Sequence, residues 1–275
     1  MITLCKQLQE LNMTGTKISE EGKARVIMGL PRLRHLVRAD YLCDSLGWID
    51  YLEEVIDPVY DLQEFTPSQS YFFHETWQLE MVARMCPNIK KILFIQHSES
   101  CPSLLPLQEF HLLTDLQLHG ASWEVGGLQE LLDLLGHQLQ HLGLISCKGF
   151  SVASLRHLLL LCPSLSGFVL NNCTMAEIEW ARLEEFPVGL APSLTELVVT
   201  SNVASEYITW LCTAAPRLRV LHLGSTTQVL QSSFSDETVS QQYFCPGTRL
   251  HLSRFDCEGF PLSLGRAPSR EVLPP

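Results

Sequence analysis

The chain has 275 residues, 46% of them apolar, and a formal net charge of -11. It can therefore bury a substantial core and falls in the range of one large domain or two small ones. Its longest strongly apolar stretch, Leu158 to Cys162, is far short of the roughly 18 residues a membrane span needs. The opening Met-Ile-Thr-Leu-Cys-Lys-Gln-Leu also lacks the basic-then-apolar layout of a secretory leader.

Apolar residues recur at relative positions 1 and 4 of segments starting at Leu8, Leu33, Leu62, Ile89, Leu113, Leu139, Leu165, Leu194 and Leu218, and at position 6 in all of these but the second and third. Position 9 is Cys147, Cys173 or Asn202 in three of them. This spacing is the leucine-rich-repeat signature. Positions 4 and 6 lie on one side of a strand and share a core, and position 1 reaches that core from the preceding turn. A thiol or amide at position 9 can satisfy backbone groups left unpaired where the chain leaves the strand.

In the first unit, Ser19 reads as a helix N-cap with Glu20 and Glu21 in the first turn. That helix should run towards Met28 and stop before Gly29-Leu30-Pro31. The second unit places Arg38 at position 6, which calls for a register shift or a degenerate repeat. The third places Pro67 there, where a ladder donor is lost. The acidic stretch 39–83 is the irregular part of the array. Tyr71 to Met85 reads as a helix with Phe72, Trp77, Leu79, Val82 and Met85 inward.

Regularity returns at Ile89. Leu128, Leu131, Leu132 and Leu135 have helical spacing, and Thr174-x-x-Glu177 reads as a capping box. Pro31, Pro87, Pro163, Pro192 and Pro216 each stand two residues before a position 1, marking helix end and strand start. Beyond Leu223 the pattern weakens: Gln228 to Gln242 reads as a loop or poor helix, and Leu250 to Phe260 as a last irregular strand acting as a cap. The expected fold is an α/β leucine-rich-repeat solenoid over residues 1–260. It has a curved parallel sheet inside, helices outside and about eight to nine units. A disordered tail is expected over 261–275. The chain opens inside a repeat, which suggests a shortened isoform, a fragment or an array that another segment covers.

Between Arg38 and Arg84 there is no Lys or Arg, while ten acids run from Asp40 to Glu80, Asp61 among them. Nucleic acid is excluded as the main ligand for want of a basic stripe; a basic partner and a plain solvated face both remain open. None of the ten cysteines forms a Cys-x-x-Cys pair. Cys86 and Cys162 precede strand-leading prolines, and Cys147 and Cys173 hold position 9. These are thiols of a reducing compartment, acting as small buried hydrophobes with a weak donor. A cytoplasmic location is expected, with the nucleus left open.

No nucleophile elbow, phosphate loop or metalloprotease motif is present, so neither enzyme activity nor a cofactor is expected. His137 and His141 have i, i+4 spacing, but His141 falls in a strand, so a shared metal is not expected.

The functional signal lies at positions 3, 5 and 7, which point away from the core. Position 5 supplies Leu93, Gln117, Gly143, Val169, Val198 and His222. Position 7 supplies Ile95, His119, Ile145, Asn171 and Thr200, and position 3 supplies Gly167. Leu93, Ile95, Ile145, Val169 and Val198 are expected to face solvent, with Gly143 and Gly167 leaving room in the floor for a partner side chain. The alternative is that strands favour Val and Ile on either face. A protein partner is expected on this concave face, with no nucleic acid and no membrane.

The text from Cys162-Pro163 to Cys173 resembles the cysteine-containing repeats of F-box and leucine-rich-repeat proteins. That resemblance implies a substrate receptor of a cullin-RING (SCF-type) ubiquitin ligase. The F-box segment that docks such receptors on the ligase adaptor is not visible in these residues. A ligase-independent scaffold, or an inhibitor of the ribonuclease-inhibitor-like type, is the other expectation.

Overall fold

The computed structural model describes residues 5–13, 16–37, 47, 59–65, 76–95, 103–124, 127–175, 189–200, 205–223 and 249–252. Its strands are β1 (Glu10–Asn12), β2 (His35–Val37), β3 (Glu64–Phe65), β4 (Lys91–Ile95) and β5 (Asp115–His119). They continue as β6 (His141–Ile145), β7 (Gly167–Asn171), β8 (Glu196–Thr200), β9 (Val220–Leu223) and β10 (Arg249–Leu252). All ten join one sheet in chain order, and every ladder is parallel. Between them lie helices α1 (Glu20–Gly29), α2 (Thr76–Met85), α3 (Leu128–Leu135), α4 (Val152–Leu161) and α5 (Ser205–Ala214). Short 3-10 turns take up Leu105–Glu109 and Gly136–Gln138.

Strand order that never reverses, combined with right-handed crossovers, puts every helix on the same face of the sheet. Helices are about 10 Å across, while strands sit about 4.8 Å apart. Stacking both in step bends the sheet with its helix-free face inward. The packed face holds one continuous core in which Leu116, Leu118, Leu142, Leu144, Phe168 and Leu170 are fully buried. The helices close it from outside: Leu128, Leu131, Leu132 and Leu135 are all buried, as are Leu155 and Leu158.

Local chemistry matches the repeat positions. Ser19 caps α1 by accepting from the Gly22 amide at 3.2 Å. Ser151 caps α4 through a reciprocal pair with Ser154. Position 8 adopts a left-handed backbone at Gly120 (φ 78°), Ser146 (φ 52°) and Asn172 (φ 52°). That turn aims the Gly120 and Ser146 amides at the Ile145 and Asn171 carbonyls of the next unit, at 2.8 and 2.7 Å. The position-9 thiols then donate back: Cys147 Sγ to the Leu118 carbonyl at 3.5 Å, and Cys173 Sγ to the Leu144 carbonyl at 3.2 Å. The neighbouring Cys173 sulfur and burial push the Cys147 thiol up. Burial pushes Cys162 up to about 12. Cys147 and Cys162 are thereby held as protonated, structural thiols, while the contact with Cys147 works to lower the buried Cys173 thiol.

Several expectations need correction. The described residues give ten strands: the nine expected repeat starts and, last in the sheet, Arg249–Leu252, which pairs in register with Val220–Leu223 where a final capping strand was expected. The second unit does not slip: Leu11 pairs with Leu36, and Leu36 is 4% exposed. Trp77, expected inward, is 54% exposed; the buried side of α2 is made by Leu79, Met81, Val82, Ala83 and Met85. Asp61 is not a free acid of a solvated stretch. It accepts from Arg34 Nε at 2.9 Å and from Asn88 Nδ2 at 3.1 Å, tying three successive units along one edge. Arg38, Pro67, Phe72, Glu177, the segment 228–242 and the tail 261–275 lie outside the described residues, as does most of 39–83.

Candidate functional site

The helix-free face is built by alternation along each strand and by register between strands. One row joins Leu93, Gln117, Gly143, Val169, Val198 and His222 as direct partners across β4 to β9. A second joins Ile95, His119, Ile145, Asn171 and Thr200. Gly167 lies in the third row, between His141 and Glu196. The twelve expected residues thus fall in three adjacent rows on one face. Leu93, Gln117, His119, Ile145, Asn171 and His222 are half-buried. The side chains of Ile95 and Thr200 are outside the described set, although their backbones hold their places in β4 and β8.

Two details of the face differ from expectation. Val169 and Val198 are only 6% and 3% exposed, although neither belongs to the main core cluster. Position 5 is the middle row of the three, and the two valines are direct partners of each other across β7 and β8. The glycines are not vacancies for a partner. A Cβ on Gly143 would lie 3.0 Å from Gln117 Cγ, and one on Gly167 would lie 2.6 Å from His141 Cδ2. Each glycine accepts the side chain of the preceding strand, which explains residues of poor strand propensity at these places.

Sequence reading places position 3 in a column facing away from the core, but takes only Gly167 from it as a site residue and misses the pairing of its charges. His141 Nδ1 lies 2.9 Å from Asp115 Oδ1. The ring N–H falls short of hydrogen-bond alignment, so the contact is mainly an ion pair when the imidazole is protonated. Thr114 Oγ1 donates to the other Asp115 oxygen at 2.6 Å. Burial works to raise the Asp115 carboxyl, but the close His141 ring, the Thr114 hydroxyl and the charges of His141 and Lys91 outweigh it. The result lies below the ordinary value of 3.8. Burial raises Glu196 above its ordinary 4.5, against the opposing charge of His141. His222 Nε2 stands 3.7 Å from Glu196 Oε1, and His35 Nδ1 stands 3.6 Å from Glu64 Oε2. The alternation of acid and base down that column is the signal that would have singled these residues out.

Ser166 Oγ lies 3.4 Å from His141 Nε2, so Asp115, His141 and Ser166 stand in the order of a hydrolase relay. The surroundings argue against acyl transfer. The Ser166 hydroxyl is also 3.0 Å from the Gln140 carbonyl, placed to donate to it. The amides of Ser166 and Gly167 are both spent on that same carbonyl, at 2.8 and 3.0 Å. No oxyanion donor is left at the serine, because ladder pairing consumes the amides. Among the described residues, no group of three or more His, Cys, Asp or Glu is arranged to hold a metal, and no helix is long and apolar enough to cross a membrane.

No protein-family model and no curated protein matches the chain. Among solved structures it is similar to the crystal structure of an internalin C2 from Listeria monocytogenes, at 14% identity and a TM-score of 0.42. That similarity covers 78% of this chain and 80% of that one. The leucine-rich-repeat-type α/β solenoid is established by the in-register, ten-strand parallel ladder itself.

Proposed function

We propose that the chain is a protein-binding module whose inner face takes a protein partner along β4 to β9. On the strength of the Cys162 to Cys173 text, we further propose that it serves as the substrate-recognition subunit of an SCF-type ubiquitin ligase. The observation that carries the first reading is the contrast within one sheet. Helices cover positions 4 and 6, while positions 3, 5 and 7 present half-buried apolar residues (Leu93, Ile145) beside polar ones (Gln117, His119, Asn171). The six strands β4 to β9 at standard separation span roughly 24 Å, long enough for a short extended segment.

The test is affinity capture with face variants. Leu93→Asp with Ile145→Asp charges the inner face while leaving Val169 and Val198, which are too buried for this purpose, untouched. Capture of the wild-type chain's partner should fall by at least about 2 kcal/mol, the scale of a hot spot. Charge changes at the exposed outer-helix residues Gln129 and Arg156 should leave capture intact. Retention by the inner-face variant and loss by the outer one would assign the working surface to the helices. Co-purification of a ligase adaptor and cullin with the partner supports the receptor reading. A partner captured without them supports a scaffold or an inhibitor.

A further inference from the structure

Position 3 forms a charge ladder across the sheet. From β1 to β6 it reads Glu10, His35, Glu64, Lys91, Asp115 and His141, each the direct partner of the next. Every acid has a base beside it, and no two like charges are adjacent. In a parallel in-register sheet, equivalent side chains lie about 4.8 Å apart, so like neighbours would repel and opposite ones attract. The ladder is interrupted at Gly167 and resumes at Glu196. The His141 ring leans over that interruption, since any Cβ at Gly167 would meet it. On the far side His222 approaches Glu196.

We propose that this ladder makes the charge of the inner face depend on pH, with His141 coupling the carboxylates of β5 and β8 across the Gly167 gap. Imidazoles change charge between about pH 5 and 8. With them neutral, Glu10, Glu64, Asp115 and Glu196 outnumber Lys91, the one ammonium of the position-3 row through β9, and the row is acidic. A protonated imidazole at His35 or His141 offsets acids within the row, and one at His222, in the middle row, stands beside Glu196, so each new charge faces an acid already in place. The groups facing His141 are Asp115 on β5 with Lys91 behind it on β4, the Ser166 hydroxyl ahead of β7, and Glu196 on β8. Its own strand adds no charge at positions 5 and 7, which are Gly143 and Ile145. His35 has Glu10 on one side and Glu64 on the other. His222 faces Glu196 on β8 and has His251 as its register partner on β10. The consequence for a partner rests on the inner face being the binding surface: a basic segment would be favoured at neutral pH and released on acidification.

The experiment follows the carbon-13 carboxyl signals of the full chain through acid titration, in the wild type and in His141→Gln. The substitution takes the imidazole away from both carboxylates. Its loss should shift both Asp115 and Glu196 upward, by roughly half a pH unit or more for each acid, while Glu10 stays where it was. A shift of Asp115 alone would reduce the ladder to one local pair, and no shift at either would remove it. Should His141→Gln fail to fold, Glu196→Gln reads the same coupling from the ring, whose titration midpoint must fall relative to wild type. An unchanged midpoint overturns the proposal. No partner enters this measurement, so its failure leaves the inner-face binding reading standing, and the converse also holds.

Discussion

The two faces of the sheet obey different rules. On the packed face, position 6 runs Phe94, Leu118, Leu144, Leu170 and Val199, all with no measurable exposure. On the inner face the matching middle row runs Leu93, Gln117, Gly143, Val169 and Val198, with no two consecutive residues alike until the valines. The packed face must fill one continuous volume, so each unit is held to what its neighbours leave. The inner face must only avoid like-charge contacts and clashes between rungs, which it does by alternating sign and by setting glycine beside Gln117 and His141.

The largest effects should come from the packed face. Leu142→Ala and Leu170→Ala each remove a fully buried side chain and should cost about 2–5 kcal/mol, read by urea unfolding. Because units touch only their neighbours, hydrogen exchange should show protection lost first in the flanking strands. Next comes a substitution that crosses the divide. Val198→Asp lies on the inner face but is 3% exposed, so it should cost about 3 kcal/mol through burial of an unpaired carboxyl. Ile145→Asp, half-buried in the outer row, should cost much less. Equal losses would mean that the two faces are equally committed to the fold.

Much of this was legible because a repeat repeats. The spacing of Leu139, Leu142, Leu144 and Cys147 placed strand, core side and turn at once, and nine of the ten rungs carry a recognisable start. The tenth was blurred because its start falls at Gly247, which offers no apolar anchor. Burial of Val169 and Val198 was not legible, since alternation tells which face a residue is on but not how tightly the row closes over it. The roles of Gly143 and Gly167 were half legible: their poor strand propensity signalled a reason, but the reason sits on the neighbouring strand. Trp77 was misplaced because apolar spacing alone does not choose among the candidates on a helix: Met81 and Ala83 are buried where Trp77 is exposed.

Glycine substitutions sharpen the comparison at a smaller scale. A Cβ on Gly136 would lie 2.5 Å from the Leu161 carbonyl oxygen, where the ends of α3 and α4 approach each other. Backbone cannot rotate aside, so Gly136→Ala should cost about 1–3 kcal/mol. At Gly167 the obstacle is the His141 ring, which can turn away. Gly167→Ala should therefore lose less stability in thermal unfolding, while it moves the ring away from Asp115. The shift should appear in the imidazole and Asp115 carboxyl signals.

The smallest effects belong to pH, and two half-buried acids of the ladder, Asp115 and Glu196, pull in opposite directions. Asp115 is held below its ordinary value of 3.8 in the folded chain, so folding favours its charged form. The stability it contributes is fully present above the ordinary carboxylate range and is lost as pH falls through the lowered folded value. Glu196 is raised above 4.5 by burial, so folding favours its protonated form. Its contribution is present below 4.5 and disappears as pH rises through the raised value. Unfolding free energy measured across acid to neutral pH should therefore fall less steeply at the acid end in Asp115→Asn than in wild type. Glu196→Gln should remove a decline that wild type shows just above pH 4.5. Both side chains retain about a third or less of their exposure, 27% and 31%, so solvent screens the effects and each should remain below the cost of a core leucine. If the two substitutions change the profile in the same direction, burial does not separate these acids, and the ladder acts as one uniformly solvated row.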